Sequence, residues 1–427
     1  MSRPFSALPA QERARLLLIG VFALSGVFAF SWLARIPSIR DALGLTAAEL
    51  GAVLLVGSIG ALVTVFSGPS LLARFGSTRV FAAGAVVMTL GCLLVGLAPA
   101  VPSRWVFGIG IVVNGIGGSL LTVPMNVESA RIEQAHGRSV IPQFHAAFSA
   151  GAVAGSVLGA LASTAGVPVV LQFAGIALAT GVLRLLALRA GMVMPPVPEG
   201  VEAVRGDAAA KGGQLAVWTE PRTILIGVVA FAAALSEGAA NNWLALAFVD
   251  GFGATEAFGG LALGVFIGAM LLVRVVGSRA IDRLGRVAAL RVSCLFAVLG
   301  IAAFGLSAHP GLALVGVALW GAGTALCFPL TVAAVSDEPR RAPSRVSMMA
   351  SLGSVAVMTA APLIGVAATS LGGAQHALLV VLVPLLGALV ASRWVAPSLT
   401  SVADPLAVLP DLAEARPAEL RDPALAA

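Results

Sequence analysis

One carboxylate lies deep within an otherwise apolar stretch of the chain. Of the 20 Asp and Glu residues, only Glu237 lies well inside such a stretch. If the stretch crosses a bilayer, a charge there costs about 2.5–3.5 kcal/mol on insertion scales, so an acid at this position predicts a function. A carboxylate that binds and releases a proton would explain it, and Glu237 is our first candidate for proton coupling. The alternative is a protonated glutamate that hydrogen-bonds a neighbouring helix.

Other polar side chains in apolar stretches could carry protons or bind a small polar molecule. His145 is the second proton-coupling candidate. Its alternatives are to cap a loop or to pair with Glu128 or Glu133. An amide or an indole N–H can hydrogen-bond a bound solute or simply join two helices. On that basis the candidates for a substrate cavity are Asn241, Asn242, Asn114, Gln172 and Trp320.

The residue patterns of hydrolytic and metal enzymes are missing from the sequence. It has no Gly-x4-Gly-Lys-Ser/Thr phosphate loop and no spaced Ser/His/Asp set. The 3 cysteines and 4 histidines are scattered, which excludes a disulfide scaffold and a metal cluster. We therefore predict that the protein is not an enzyme and holds neither a cofactor nor a metal.

The composition predicts an all-α polytopic membrane protein. Hydrophobic residues make up 59% of the 427 residues and charged residues 11%, whereas soluble domains have about 25% charged residues. A span needs about 20 apolar residues. Windows of this kind predict twelve transmembrane helices, at 15–35, 49–69, 80–98, 104–126, 141–165, 167–188, 223–244, 257–277, 287–306, 311–334, 346–369 and 374–395.

The basic residues predict the orientation. With a cytoplasmic amino terminus, all of the 26 Lys and Arg residues except Arg35, Arg40 and Arg104 lie on or near the inner side. The net charge of +6 thus follows from topology, and nucleic acid is excluded as a partner. We predict a multi-pass protein of the cytoplasmic (inner) membrane with both termini in the cytoplasm. We interpret Arg274 as a side chain that extends to the inner membrane surface. Arg35 either extends to the outer membrane surface or pairs with an acid at the outer opening between the halves.

The chain divides into two similar halves. We predict a six-helix bundle over 1–190, a cytoplasmic linker over 191–221, a second bundle over 222–395 and a disordered tail over 396–427. Short motifs recur between the halves at a nearly constant offset. The pairs are Arg74-Phe75-Gly76 with Arg283-Leu284-Gly285, Gly115-x-Gly117 with Gly321-x-Gly323, Ile59-Gly60-Ala61 with Ile267-Gly268-Ala269, Phe30-to-Ala34 with Asn241-to-Ala245, and Gly159 with Gly365. Two pseudo-symmetric bundles with one shared orientation are typical of alternating access.

With these motifs, the sequence resembles the major facilitator superfamily over residues 10–395. Asp282-Arg283-Leu284-Gly285-Arg286 is similar to that superfamily's inner loop motif, and the first half keeps Arg74, Gly76 and Arg79 but has Ala73 at the usual Asp position. The resemblance implies that these loops form an inner gate. Within the superfamily, Trp32-Leu33-Ala34-Arg35-Ile36-Pro37 and Glu237-Gly238-Ala239 resemble a poorly characterised bacterial group near the fucose- and sugar-permease-like members.

Together these features predict a secondary active transporter that moves a small organic solute by alternating access, coupled to protons. The partners would be the solute, protons and the lipid bilayer, and the protein would act as a monomer. A drug or metabolite:proton antiporter for efflux and an uncoupled facilitator are alternatives within the class. A non-transporting membrane receptor on the same fold is the alternative from another class. Pro124, Pro329 and Pro362 are expected to kink spans that flex or open a path.

Overall fold

A computed structural model describes residues 8–136, 140–194, 217–338 and 341–396. Twelve helices in these ranges are long and apolar enough to cross a membrane, as the sequence predicts. We number them as spans 1 to 12: Ala10–Leu33, Ala47–Gly68, Ser70–Leu97, Arg104–His136, Ile141–Thr164, Val169–Arg189, Pro221–Phe252, Glu256–Gly277, Arg286–Leu306, Pro310–Val335, Ser344–Ser370 and Ala374–Val395.

The helix boundaries follow from local sequence signals. Thr46 and Glu49 form a capping box at the start of span 2, and the Thr255 side chain accepts a hydrogen bond from the Phe258 N–H at the start of span 8. Spans 4 and 7 run further than the apolar windows, to His136 and Phe252. Their additional turns carry polar residues, which hydropathy alone excludes. The predicted linker and tail fall almost entirely on residues 195–216 and 397–427, outside the described part of the chain.

The molecule has two ends that differ in charge. We call the end that carries Arg74, Arg79, Arg283 and Arg286 the arginine-rich end, and the end that carries Arg35, Arg40 and Arg104 the arginine-poor end. A short helix, Ile36–Leu43, follows span 1 at the arginine-poor end and packs against span 7 of the other half. The main helix contacts between the two halves are those of span 2 with span 11 and of span 5 with span 8.

The predicted repeat is present in the backbone. Gly76 has φ 75° and ψ 159°, and Gly285 has φ 77° and ψ 162°. Gly76 breaks the helical run near the start of span 3, and Gly285 separates span 8 from span 9. A residue with a Cβ rarely adopts this positive φ, so the two halves use glycine for the same turn. The repeat between the two halves is therefore present in the backbone structure as well as in the sequence.

The glycine pairs of spans 4 and 10 do the same work in each half. A Cβ on Gly115 would lie 2.3 Å from a carbonyl of span 2, and one on Gly321 would lie 2.2 Å from a carbonyl of span 8. A Cβ on the second glycine of each pair would also clash with backbone. It would lie 2.3 Å from a backbone nitrogen of span 3 at Gly117, and 2.2 Å from one of span 9 at Gly323. Small residues of this kind let helix backbones approach closely in a membrane.

Candidate functional site

Glu237 lies near the middle of span 7 and has an arginine partner. Its side chain is 35% exposed, and its Oε2 lies 3.5 Å from Nη2 of Arg274 on span 8. Arg274 is therefore not directed towards the membrane surface, and our interpretation from the sequence was wrong. Its guanidinium turns to the one acid that sequence analysis places inside a span.

A carbonyl of span 10 holds the other side of Arg274. The Arg274 Nε donates a hydrogen bond to the carbonyl oxygen of Ala325 at 3.3 Å. In an unbroken helix that carbonyl would accept from the residue four positions on, which is Pro329 and has no N–H. Span 10 is in fact interrupted here, into Pro310–Thr324 and Cys327–Val335. Pro329 thus frees the carbonyl that orients Arg274, whereas helices run on through Pro124 and Pro362.

His145 lies across the seam between the halves from Arg274. It is on the first turns of span 5, is exposed, and its ring packs edge-on against Phe22 with 5.8 Å between the ring centroids. Arg274 is near enough for its charge to act on the imidazole. Both predicted proton-coupling residues therefore interact with Arg274, which was not among the predicted site residues.

Two predicted cavity residues follow Glu237 on span 7. Asn241 is half-buried one turn further along, and its buried Oδ1 has no hydrogen-bond partner among the described residues. Asn242 donates from its Nδ2 to the carbonyl of Gly238 on its own helix, at 2.9 Å. Asn241 is thus the amide here with an unused acceptor.

The other three predicted cavity residues lie within single bundles. Gln172 is buried and donates to the carbonyl of Ser31 at 3.2 Å, which ties span 6 to span 1. Trp320 is fully buried, and its indole N–H donates to the Ser236 hydroxyl at 2.7 Å. The backbone of Asn114 abuts Gly91 of span 3. Gln172 and Asn114 belong to the first half, and Trp320 bonds the residue before Glu237 without a bond to Glu237 or Arg274 in the described part of the chain.

At the arginine-poor end, one carboxylate joins the two halves. Glu256, the first residue of span 8, accepts from the Ser38 backbone N–H at 2.9 Å and from the Ser163 hydroxyl at 2.7 Å. Its Oε2 also lies 3.1 Å from the Arg35 Nε, with 12% of the Glu256 and 6% of the Arg35 side chain exposed. All three partners belong to the first half. Of the two roles considered for Arg35, pairing with an acid is the one observed.

A second ion pair crosses between the halves beside this one. Arg40, on the short helix after span 1, pairs with Asp250 near the end of span 7 and with its neighbour Asp41. Burial acts to lower the pKa of Arg40, but the hydrogen bonds to the two carboxylates outweigh it and raise the pKa above its usual value. We call the contacts of Glu256 and Arg40 the outer latch.

The spans are also tightly packed at the latched end. A Cβ on Gly51 of span 2 would lie 2.7 Å from the carbonyl of Ala361 on span 11. A Cβ on Gly365 of span 11 would lie 2.6 Å from the carbonyl of Ala47. The backbones of spans 2 and 11 are therefore in close contact at this end.

The arginine-rich end has no such connection. In residues 8–136, 140–194, 217–338 and 341–396, every ion pair at this end lies within one half. Of the predicted inner-gate residues in that part of the chain, Arg286 pairs with Asp337 at 2.6 Å, whereas Arg74, Arg79, Asp282 and Arg283 form no ion pair. Gly76 and Gly285 supply the turns.

Glu220 anchors the start of span 7 at this end. It lies 2.9 Å from Arg341 and 2.8 Å from Arg345, both in the second half. Partial burial acts to raise the pKa of Glu220, but hydrogen bonds from Thr223 and Arg345 and the two arginine charges outweigh it and hold the pKa below its ordinary value.

The fold and site define a class: a multi-pass α-helical membrane protein of two pseudo-symmetric bundles that are joined by ion pairs at one end, with polar residues on spans 5, 7 and 8. The family model of the Major Facilitator Superfamily matches residues 16–341 and 226–425, so the chain belongs to that superfamily. Its function is therefore transport and not catalysis.

Known relatives agree with this family. The uncharacterized transporter y4wD of Sinorhizobium fredii is 27% identical over 311 residues, which cover 72% of this chain and 78% of the relative. The solved structure of the nucleoside transporter NupG is 15% identical, with a TM-score of 0.68 over 90% of this chain and 98% of that one. FucP, in an outward conformation, is 15% identical with a TM-score of 0.62 over 91% of this chain and 100% of that one.

Proposed function

We propose that the protein is a proton-coupled secondary transporter of a small organic solute, with Glu237 as the proton-carrying residue. The observation that carries the proposal is the Glu237–Arg274 pair, which joins spans 7 and 8 of the second half. An acid paired with an arginine is held ionised, and an acid that is parted from it and desolvated favours the protonated form. Breaking and remaking one contact therefore links proton binding to helix movement. His145 is the second candidate for carrying the proton.

We further propose that the molecule lies in the cytoplasmic membrane with both termini inside, as a monomer divided near residues 190 and 222. In this orientation the outer latch closes the external side, and the unpaired inner-gate loops leave the cytoplasmic side open. The conformation is then inward-facing. Alternating access requires the opposite arrangement as well, in which the contacts of Glu256 and Arg40 are broken. Among the relatives, FucP is a fucose:proton symporter, which is consistent with this mode.

The test is proton movement in proteoliposomes that contain a pH-sensitive dye, with a metabolite and drug panel added outside. The wild type should move protons with one class of solute, and Glu237→Gln should abolish proton movement while solute exchange continues. Glu338→Gln is the matched control, because Glu338 lies outside the spans and pairs with Arg345. Proton movement that survives in Glu237→Gln would reject Glu237 as the coupling residue and make His145→Gln the next variant.

The same assay separates the alternatives. Solute exchange without proton movement in the wild type would identify a facilitator. Proton movement opposite to the solute would identify an antiporter for efflux. Solute binding with no exchange at all would identify a receptor.

A further inference from the structure

The Arg274 side chain has free hydrogen-bonding capacity beside Glu237. Its Nε is bonded to the Ala325 carbonyl, whereas Nη1 has no hydrogen-bond partner in the described part of the chain. The Nη2 contact to Glu237, at 3.5 Å, is the longest ion pair among the described residues. Charge-assisted bonds of this type are normally about 2.7–2.9 Å long. The side chain is 34% exposed, so solvent or a solute reaches it.

An arginine fixed by its Nε presents its two terminal nitrogens as a flat edge. That edge matches the two oxygens of a carboxylate in a bidentate pair. Glu237 uses it poorly here, since one of its oxygens makes one long contact. A free carboxylate that aligned with both nitrogens would make the better partner and displace Glu237.

The charge balance then fixes the proton count. The empty site is neutral, with one Glu237 carboxylate and one Arg274 guanidinium. A bound monoanion alone would leave a net negative charge in a low-dielectric site, which is costly. One proton taken up by the Glu237 carboxylate restores neutrality, while the incoming carboxylate keeps the guanidinium. A cationic solute would leave an excess positive charge, which Arg274 cannot relieve by losing its proton.

The charged and titratable groups around Glu237 belong to spans 5 and 8. Arg274 of span 8 is its charged neighbour, and His145 of span 5 lies beyond Arg274. Next to the Glu237 turn, Val357 and Ala360 of span 11 pack on Gly238 and carry no charge.

We propose that this site takes a monovalent organic carboxylate, bound by Arg274, together with one proton on Glu237. The inference rests on the proposed function, because it assigns a substrate class to the same site. Arg274 becomes the specificity-determining residue, and the carbonyl freed by Pro329 keeps it in position. Transport of such a pair moves no net charge.

The test is equilibrium binding to the protein in detergent, measured as the rise in melting temperature that each probe causes. The probes are matched sets on one carbon skeleton that bear a carboxylate, an alcohol or an amine, such as gluconate, glucitol and glucosamine. We expect stabilisation by carboxylates and not by their neutral or cationic counterparts. Arg274→Lys should weaken it about tenfold or more, since a lysine keeps the charge but not the paired edge. Arg291→Lys is the control, because Arg291 bonds Ser392 away from the site.

The dependence on pH tests the proton. In the wild type the carboxylate affinity should fall as pH rises, by at most about tenfold per pH unit, because one proton is bound with each carboxylate. In Glu237→Gln, which mimics the protonated acid, the affinity should not change with pH. If Arg274→Lys fails to fold, Pro329→Ala keeps the arginine and offers the Ala325 carbonyl a different donor, and it should also weaken carboxylate binding.

Three results would overturn the proposal: tighter binding of the alcohols or amines, carboxylate binding that Arg274→Lys leaves unchanged, or no stabilisation by any carboxylate. These results are distinct from failure of the proposed function. Proton-coupled uptake of neutral solutes would reject the carboxylate class and keep the transporter. Carboxylate binding that depends on Arg274, without any flux, would reject transport by this site and keep the binding assignment.

Discussion

The outer latch predicts that one conservative substitution changes the conformation of the whole protein. In Glu256→Gln the amide keeps an oxygen for the Ser38 N–H but loses the ion pair to Arg35 and the bond from Ser163. Removing one partner of a buried pair costs about 3–5 kcal/mol. Arg35 keeps its bond to the Val167 carbonyl, so we expect Glu256→Gln to destabilise the closed arrangement by less than this. A cost of about 2–3 kcal/mol corresponds to a change of about 30- to 150-fold in the equilibrium constant.

This cost falls only on the closed arrangement. When the two halves separate at this end, Glu256 is solvated and has no partners to lose, so the substitution raises the free energy of one state. The population should therefore move towards a molecule that is open at the arginine-poor end. Spin labels at Val101 and Leu371 report on this opening, because both residues are exposed, at this end, and in different halves. The label-to-label distance should lengthen in Glu256→Gln relative to the wild type.

Glu49→Gln provides the control. Glu49 pairs with Arg104 at 2.8 Å at the same end, but both residues belong to the first half and are about half exposed. Exposed pairs contribute about 0–1 kcal/mol, and this one spans no seam. The distribution of label-to-label distances in Glu49→Gln should therefore match that of the wild type. Identical distributions in Glu256→Gln and the wild type would refute the reasoning, because the latch would then contribute nothing to closure.

Other substitutions test the site and the packing separately. Pro329→Ala offers the Ala325 carbonyl a helical donor, which contributes about 1 kcal/mol and should raise the melting temperature. Because Arg274 then loses this carbonyl as a partner, proton flux should fall. Gly321→Ala forces a Cβ to 2.2 Å from a carbonyl of span 8 and should cost about 1–3 kcal/mol in thermal melts. Gly118→Ala meets nothing within 4 Å and should stabilise by up to about 1 kcal/mol. The lowered pKa of Glu220 means that its stabilisation is present above the ordinary carboxyl pKa and is lost as pH falls through the lowered value. Thermal melts at decreasing pH should show this loss of stability, and the loss should be absent in Glu220→Gln.

Apolar run length was enough to predict the membrane architecture. All twelve spans were found, because a bilayer requires about 20 apolar residues whatever the tertiary contacts. The repeat was also visible, because the turns at Gly76 and Gly285 need a residue that accepts positive φ. Hydropathy misplaced the ends of spans 4 and 7, where a helix continues through polar residues and no longer depends on lipid.

The direction of each polar side chain was not predictable in the same way. Gln172 and Trp320 both lie in apolar helices whose sides are chemically alike, so nothing in the sequence tells which side faces another helix of the same bundle. In the sequence Glu256 stands at the start of an apolar stretch like many other acids, and its three partners are residues far away in the chain. Contacts between the halves are set by how two bundles meet, which local sequence does not record.

The partner of Glu237 could have been found. An arginine near the end of a span resembles the topology signal, and Arg274 was interpreted in that way. Yet Pro329 necessarily leaves the Ala325 carbonyl without its helical donor, and a buried carbonyl needs a donor from elsewhere. In a span with few polar neighbours, a nearby arginine is a natural candidate. A proline that frees a carbonyl in one helix and an arginine in another therefore form a signal worth seeking together.

The same two helices connect the site to the latch. Span 8 carries Glu256 at its start and Arg274 eighteen residues later, about 27 Å along one rigid helix. Span 5, which packs against it, carries His145 near one end and Ser163 near the other. A tilt of span 8 against span 5 therefore cannot open the latch without also moving Arg274 relative to His145. In the proposed coupling, a proton on Glu237 releases Arg274 and removes one restraint on span 8. We expect this release to lower the cost of breaking the Glu256 contacts, which would couple protonation of Glu237 to opening at the far end.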